Sequence, residues 1–454
     1  MLSSTIISFA LCIFKSLLES DALVVPSVSG DESSFKGFAF TAHVKPKFND
    51  QSANNNSSVT LTNEGDMEYL GQVNVGGQDF TLVLDTGSSD LWVHSTTKIN
   101  ITSTTDRYIN LTYGIGSAAG NVSYAPVTFG GYSIDSQALL NVNKTDQQDV
   151  QGIFGLGFNS LSAIFTEVND LQARTPVDSI FAQHPSTSKF IGLSLERTAN
   201  QEDTAGGVLS VGEYDPQYSN ISTSEKHPIL PANSTRWTIA LDGMNVNGNN
   251  LQMKSNVSSQ ENSSAIALID SGTSLAYIPT DAVNAIYNSI NGSVHVQTAS
   301  GQDSWFVPCF GQANLTFVFG EETFAINPLE LTYPLTISEG GKPYTVCMST
   351  FRPPLFTDGT VEVDFLLGDI FMRNVYSVFN FGNSSSGDDG KGASIQFFSR
   401  TNREQVASDF TKQRKENLQS MPPLFDISKL HSNGSLGDSS QIMSQLSGDE
   451  ESNV

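Results

Sequence analysis

Two short phrases in this 454-residue chain place a carboxylate where ionisation is costly. The first, LVLDTGSSDLWV at 82–93, runs an apolar segment into Asp85 and then breaks it with Thr86 and Gly87. The second, ALIDSGTSLAY at 267–277, does the same at Asp270 with Ser271 and Gly272. If the two loops meet face to face, both carboxylates cannot ionise cheaply, so they share one proton and titrate as a pair. One member can then act as general base toward a bound water while the protonated one serves a carbonyl oxygen. Such chemistry hydrolyses an amide without a metal or a covalent intermediate. Gly87 and Gly272 allow a tight backbone turn beneath each acid. Thr86 and Ser271 can brace the loops, and Ser88 and Thr273 can hydrogen-bond the outer carboxylate oxygens. The alternative is a pair of unrelated turn-capping aspartates, which does not account for the repeat.

The elements that would position these acids are strands. Short alternating or apolar runs recur between Gly, Asn and Asp turns from Tyr69 onward: YLGQVNV, FTLVLD, APVTFGGYSI, VLSVGEY, RWTIALDGMNV, SAIALID and LTFVFGEETFAI. Helical signals are few; the best is Pro279-Thr280-Asp281 leading into AVNAIYNSI, with Thr280 or Asp281 as cap. Each aspartate phrase is followed by an apolar-apolar-Gly phrase, Ile153-Phe154-Gly155 in the first half and Leu366-Leu367-Gly368 in the second. The expected fold is mostly β and bilobal, with pseudo-two-fold symmetry and the acids on the axis of a central cleft.

Length and composition agree with two lobes, since 454 residues exceed one ordinary core and 37 glycines fit a turn-rich chain. A net charge of −24 without a basic patch argues against nucleic acid; it fits either simple solubility or adaptation to acid. The apolar stretch Thr5 to Phe14, followed by Ser20-Asp21-Ala22, reads as a cleaved signal peptide over 1–22, with a short anchored helix as the alternative. No later segment is apolar for long enough to span a bilayer. Asn-x-Ser/Thr sequons recur from Asn55 to Asn433, as expected of a secreted glycoprotein. Removing Cys12 with the signal leaves Cys309 and Cys347, which can pair, for about 3–4 kcal/mol in the chain-entropy model. The six histidines show no metal-ligand spacing, and neither HExxH nor GxSxG occurs, so no metal or cofactor is expected.

From about residue 67 to 400 the chain resembles the pepsin-like aspartic endopeptidases. The resemblance rests on Asp85-Thr86-Gly87-Ser88-Ser89, on Asp270-Ser271-Gly272-Thr273-Ser274 and on Leu111-Thr112-Tyr113-Gly114-Ile115-Gly116-Ser117, which is similar to the family's flap. It implies that Asp85 and Asp270 are catalytic and that Tyr113, Gly114, Ile115 and Gly116 close over substrate. It further implies that Trp92 is the partner of the flap tyrosine, that Ile153 lines the pocket before the scissile bond, and that Cys309 and Cys347 form the carboxyl-lobe disulfide. It implies a monomer with an acidic optimum, polypeptide substrates and sensitivity to pepstatin-type inhibitors. Three departures stand out: Ser271 for the commoner Thr, Ile115 for a polar flap residue, and no cysteine between 94 and 112 for the small disulfide loop. A glycosylated, catalytically silent peptide-binding protein on the same scaffold is the alternative.

The expected organisation is a signal peptide at 1–22, a pro-segment at 23–66, an amino-terminal lobe at 67–215, a carboxyl-terminal lobe at 216–400 and a polar disordered tail at 401–454. Lys36, Lys45 and Lys47 lie in the pro-segment beside FKGFAF, and Lys47 or Lys45 is the candidate for a basic residue blocking the cleft. No adjacent basic pair occurs there, so acid-driven self-processing is expected. Secretion is the expected destination, with an acidic vacuole as the alternative.

Overall fold

A computed structural model of the chain describes residues 57–113, 116–147, 150–198, 204–257, 264–297, 303–339, 341–354, 363–382, 391–402 and 405–430. The expected signal peptide, the three pro-segment lysines, the flap-tip residues Gly114 and Ile115, and the last residues from 431 lie outside these.

The first half contributes β1 (Ser58–Glu64), β2 (Glu68–Val75), β3 (Gln78–Asp85), β4 (Leu91–His94), β5 (Ser103–Thr112), β6 (Ser117–Phe129), β7 (Tyr132–Thr145), β8 (Gly152–Gly155), β9 (Phe190–Leu195) and β10 (Thr204–Val211). APVTFGGYSI, read as one run, is a hairpin, because Gly130 and Gly131 adopt positive φ (55° and 77°) and turn β6 into β7. LTFVFGEETFAI is likewise two strands, Leu315–Phe319 and Glu322–Ile326, with Gly320 at φ 57° between them. Among the described residues regular structure is already present at Ser58, before Tyr69: β1 alternates exposed and buried residues and pairs with both β2 and β10. It therefore overlaps the stretch expected to be a pro-segment.

Both halves build the same motif. In the first, β3 pairs in parallel with β8, Leu84 opposite Phe154 and Asp85 opposite Gly155, while β4 pairs antiparallel to β8. In the second, Ala265–Ile269 pairs in parallel with Phe365–Leu367, and Ala276–Tyr277 runs antiparallel to the latter. Strands buried on both faces read as unbroken apolar runs, which is why LVLD and ALID show no alternation. The halves share the largest sheet among the described residues, with 13 strands. There β9 of the first half pairs antiparallel with Val375–Asn380 of the second. A core from both halves packs around Trp237, whose ring lies 4.2 Å from that of Phe158 and whose indole N–H donates to Leu156 O at 3.2 Å.

The expected helix forms at Thr280–Asn288, but neither candidate caps it; Pro279 occupies the cap position, with Thr280 the first helical residue and Asp281 in the first turn. Cys309 and Cys347 are disulfide-bonded.

The assignment of 401–454 as a disordered tail is corrected over the part described. Val406–Asn417 is a helix that buries Phe410, Arg414 and Asn417 against the second half. These residues, four and then three apart, share one helical face, and two of the three are polar, so no apolar periodicity marks it. After the helix the chain passes beside strand Lys342–Ser349. Thr345 N donates to Pro423 O at 2.9 Å and Phe425 N donates to Thr345 O at 2.8 Å. Strand Asp303–Val307 pairs with that edge only near Met348 and Cys347, so the tail satisfies backbone groups an open edge would leave exposed.

Candidate active site

Asp85 ends β3, Asp270 directly follows Ala265–Ile269, and both are buried, at 1% and 0% exposure. The structure brings them together. A Cβ on Gly87 would fall 2.4 Å from Asp270 Oδ1, and one on Gly272 would fall 2.2 Å from Asp85 Oδ1, so each glycine packs against the opposite carboxylate. No larger residue fits at either place.

Each carboxylate is held alike. Gly87 N donates to Asp85 Oδ1 at 2.7 Å and the Ser88 hydroxyl to Oδ2. Gly272 N donates to Asp270 Oδ1 at 2.8 Å and Thr273 Oγ1 to Oδ2 at 2.7 Å. Beneath them Thr86 and Ser271 lock the loops: Thr86 Oγ1 donates to Ile269 O at 2.9 Å and Ser271 Oγ to Leu84 O at 2.7 Å. Burial raises the pKa of both acids. At Asp270 the charge of Asp85 raises it further; at Asp85 the hydrogen bonds from Ser88 and from its neighbour oppose the rise.

The phrases that follow each acid close the motif from below. Leu156 N donates to Asp85 O at 2.8 Å, and Asp270 N donates to Leu367 O at 3.1 Å. Gly155 and Gly368 sit so close to the neighbouring loop that a Cβ would fall 2.4 Å from Ser89 C and 2.0 Å from Thr273 O.

The segment expected to be the flap is a hairpin of β5 and β6, ending with Thr112 opposite Ser117 and with Tyr113 N donating to Gly116 O at 2.9 Å. Gly116 takes a positive φ of 75° at the turn. Tyr113 packs beside Trp92, ring centroids 6.3 Å apart, in a cluster with Ile153, Leu111 and Ile164. The Trp92 indole N–H approaches the Tyr113 hydroxyl and opposes the rise that burial imposes on the tyrosine pKa, but among the described residues it meets no acceptor in full hydrogen-bond geometry. Ile153, in the same cluster, is fully buried.

Three groups were missed by sequence reading. Arg236, half-buried, donates through Nη1 to Gly87 O at 2.9 Å, and its charge reaches both acids. Burial lowers its pKa, against the pull of Asp270 and Asp85. Asp90 is a buried carboxylate that accepts from the Ser162 hydroxyl and from Ala163 N (2.9 Å) and Ile164 N (3.1 Å), fixing the start of helix Ala163–Val168 beside the flap cluster. Asp369 stands behind the Asp270 loop with neither oxygen hydrogen-bonded among the described residues, and burial holds its pKa well above the usual carboxylate range. Only Asp90 had a visible cue, its place in the first phrase.

Residues 68–387 match the family model described as eukaryotic aspartyl protease, so the chain belongs to the eukaryotic aspartyl protease family and is an aspartic-type endopeptidase. It is 27% identical over 366 residues to the major aspartyl peptidase 1 of Cryptococcus neoformans var. grubii, covering 73% of this chain and 70% of that one. To an aspartic protease of Phaffia rhodozyma it is 30% identical over 351 residues, covering 72% of this chain and 77% of that one. The crystal structure of an aspartic proteinase from Irpex lacteus shares the pepsin-like bilobal fold, with a TM-score of 0.58 at 23% identity, over 77% of this chain and 99% of that one. Among the described residues no helix is long and apolar enough to cross a membrane.

Proposed function

We propose that Asp85 and Asp270 are the catalytic pair and that the enzyme cuts extended polypeptides at acidic pH through a water activated between them. The observation that carries this reading is the reciprocal packing of Gly87 and Gly272 on the opposite carboxylates. Asp270 keeps the shared proton in the free enzyme, since Asp85 raises it while hydrogen bonds and Arg236 favour ionised Asp85. Asp85 is then the base toward water and Asp270 the acid toward the carbonyl oxygen. Thr86, Ser88, Ser271 and Thr273 hold the two acids, Tyr113, Gly114, Ile115 and Gly116 cover the substrate, and Trp92 and the buried Ile153 support the tyrosine.

The mature enzyme is a secreted monomer, or one held in an acidic vacuole. It is released from a signal peptide and a pro-segment whose Lys45 or Lys47 covers the acids until protonation weakens that contact. Because β1 belongs to the sheet, self-cleavage falls before Ser58. The test is incubation of the purified protein with an unfolded protein at about pH 4, with and without pepstatin. Cleavage that disappears with inhibitor is expected. An intact substrate would leave the silent peptide-binding protein instead.

A further inference from the structure

Behind the Asp270 loop a second charged cluster assembles from residues far apart in sequence. A cavity of about 30 Å³ is lined by Asp66, Arg197, Glu330, Arg373 and Arg414, with Ser274 and Leu275 of the Asp270 loop on one wall. Arg373 donates to both oxygens of Glu330, at 2.7 to 3.1 Å, and Arg197 pairs with the same carboxylate. Asp66 is turned to other donors, accepting from Asn63 Nδ2 at 2.7 Å and Thr198 N at 2.8 Å. Arg414 arrives from the tail helix at 1% exposure and meets only neutral acceptors: Leu329 O at 3.3 Å, and Thr332 O and Oγ1 at 2.9 Å each. Its Nε is buried with no partner among the described residues.

Three guanidinium groups thus line the cavity against two carboxylates. Burial and the neighbouring Arg197 charge lower the pKa of Arg414 only to about 10, so it stays cationic in acid. A buried cation without a counter-charge is costly, and a guanidinium, weakly hydrated and rich in N–H donors, suits an anion placed beside it.

We propose that this cavity binds one small inorganic anion of the halide class, held by Arg414 together with Arg197 and Arg373. A cavity of this size has room for a single ion or for a water or two. A water would fill the space but leave Arg414 without a counter-charge. Arg414 lies beyond the residues 68–387 matched by the family model, so the site depends on this chain's own carboxyl-terminal segment.

Crystals of the mature protein soaked in bromide test the proposal directly. An anomalous peak within hydrogen-bond reach of Arg414 is expected, and a cavity holding only water overturns the idea. In solution, chloride replaces gluconate at constant ionic strength, so that screening is fixed. The wild-type Tm is expected to rise by a few degrees and saturate, while Arg414→Gln stays flat. An equal rise in both proteins also overturns it. If Arg414→Gln does not fold, the bromide experiment on the wild type decides alone.

Discussion

Thr86 and Ser271 hold each other by a reciprocal pair of hydrogen bonds. Thr86 N donates to Ser271 Oγ at 3.1 Å and Ser271 N to Thr86 Oγ1 at 2.9 Å. Each loop is thus braced by the other's hydroxyl, and the serine that replaces the commoner threonine loses none of the polar contacts. The carboxylates above inherit a fixed separation from this lock, as proton sharing requires.

Replacing one member of the pair leaves the shape and removes the proton transfer. Asp85→Asn and Asp270→Asn are each expected to lower kcat by several orders of magnitude, with far-UV circular dichroism and Tm near wild type. Retention of about a tenth of the activity by either variant would break the assignment.

Arg236 favours the ionised forms of both acids, so it moves both limbs of the activity bell toward lower pH. Arg236→Gln should shift the kcat/KM profile toward higher pH by up to about one unit, and Arg236→Lys should restore part of the shift. A variant with lower activity but an unmoved profile would give Arg236 a structural role only.

Asp369 sets a pH limit on the fold. Its folded pKa is raised above the ordinary 3.8, so the native state binds the extra proton. Its contribution to stability is complete below about pH 4 and is lost as pH rises toward the folded value. Asp369→Asn should therefore raise the urea midpoint at neutral pH while changing little at about pH 3. Equal effects at both would exclude it as the titrating group.

The tail helix is part of the folded protein. Phe410→Ala, which empties a fully buried position, should cost about 3–5 kcal/mol and lower the Tm. A Tm unchanged from wild type would mean that the helix does not dock in solution.

Much of the site could be read in advance because it is local. A carboxylate, a glycine and a hydroxyl must be adjacent in sequence to form each loop, so LVLDTGSS and ALIDSGTS announce themselves. The strands were legible for the same reason, but their breaks were not where the glycine pair at 130–131 kept an apolar run unbroken on paper. Long-range pieces left no mark. Arg236 is one arginine before a strand, and only the fold carries it to Gly87. The tail helix hides its buried face in the polar residues Arg414 and Asn417, where burial depends on acceptors supplied by Thr332 rather than on apolar spacing.

The shared sheet has a consequence for how the molecule comes apart. Because β9 pairs with Val375–Asn380 from Phe190↔Asn380 to Ser194↔Tyr376, main-chain hydrogen bonds run across the join between the halves. A nick in the loop just after β10 would therefore not separate two modules. The pieces would remain one particle through the ladder and the Thr86–Ser271 lock, leaving together on a sizing column and parting only in denaturant.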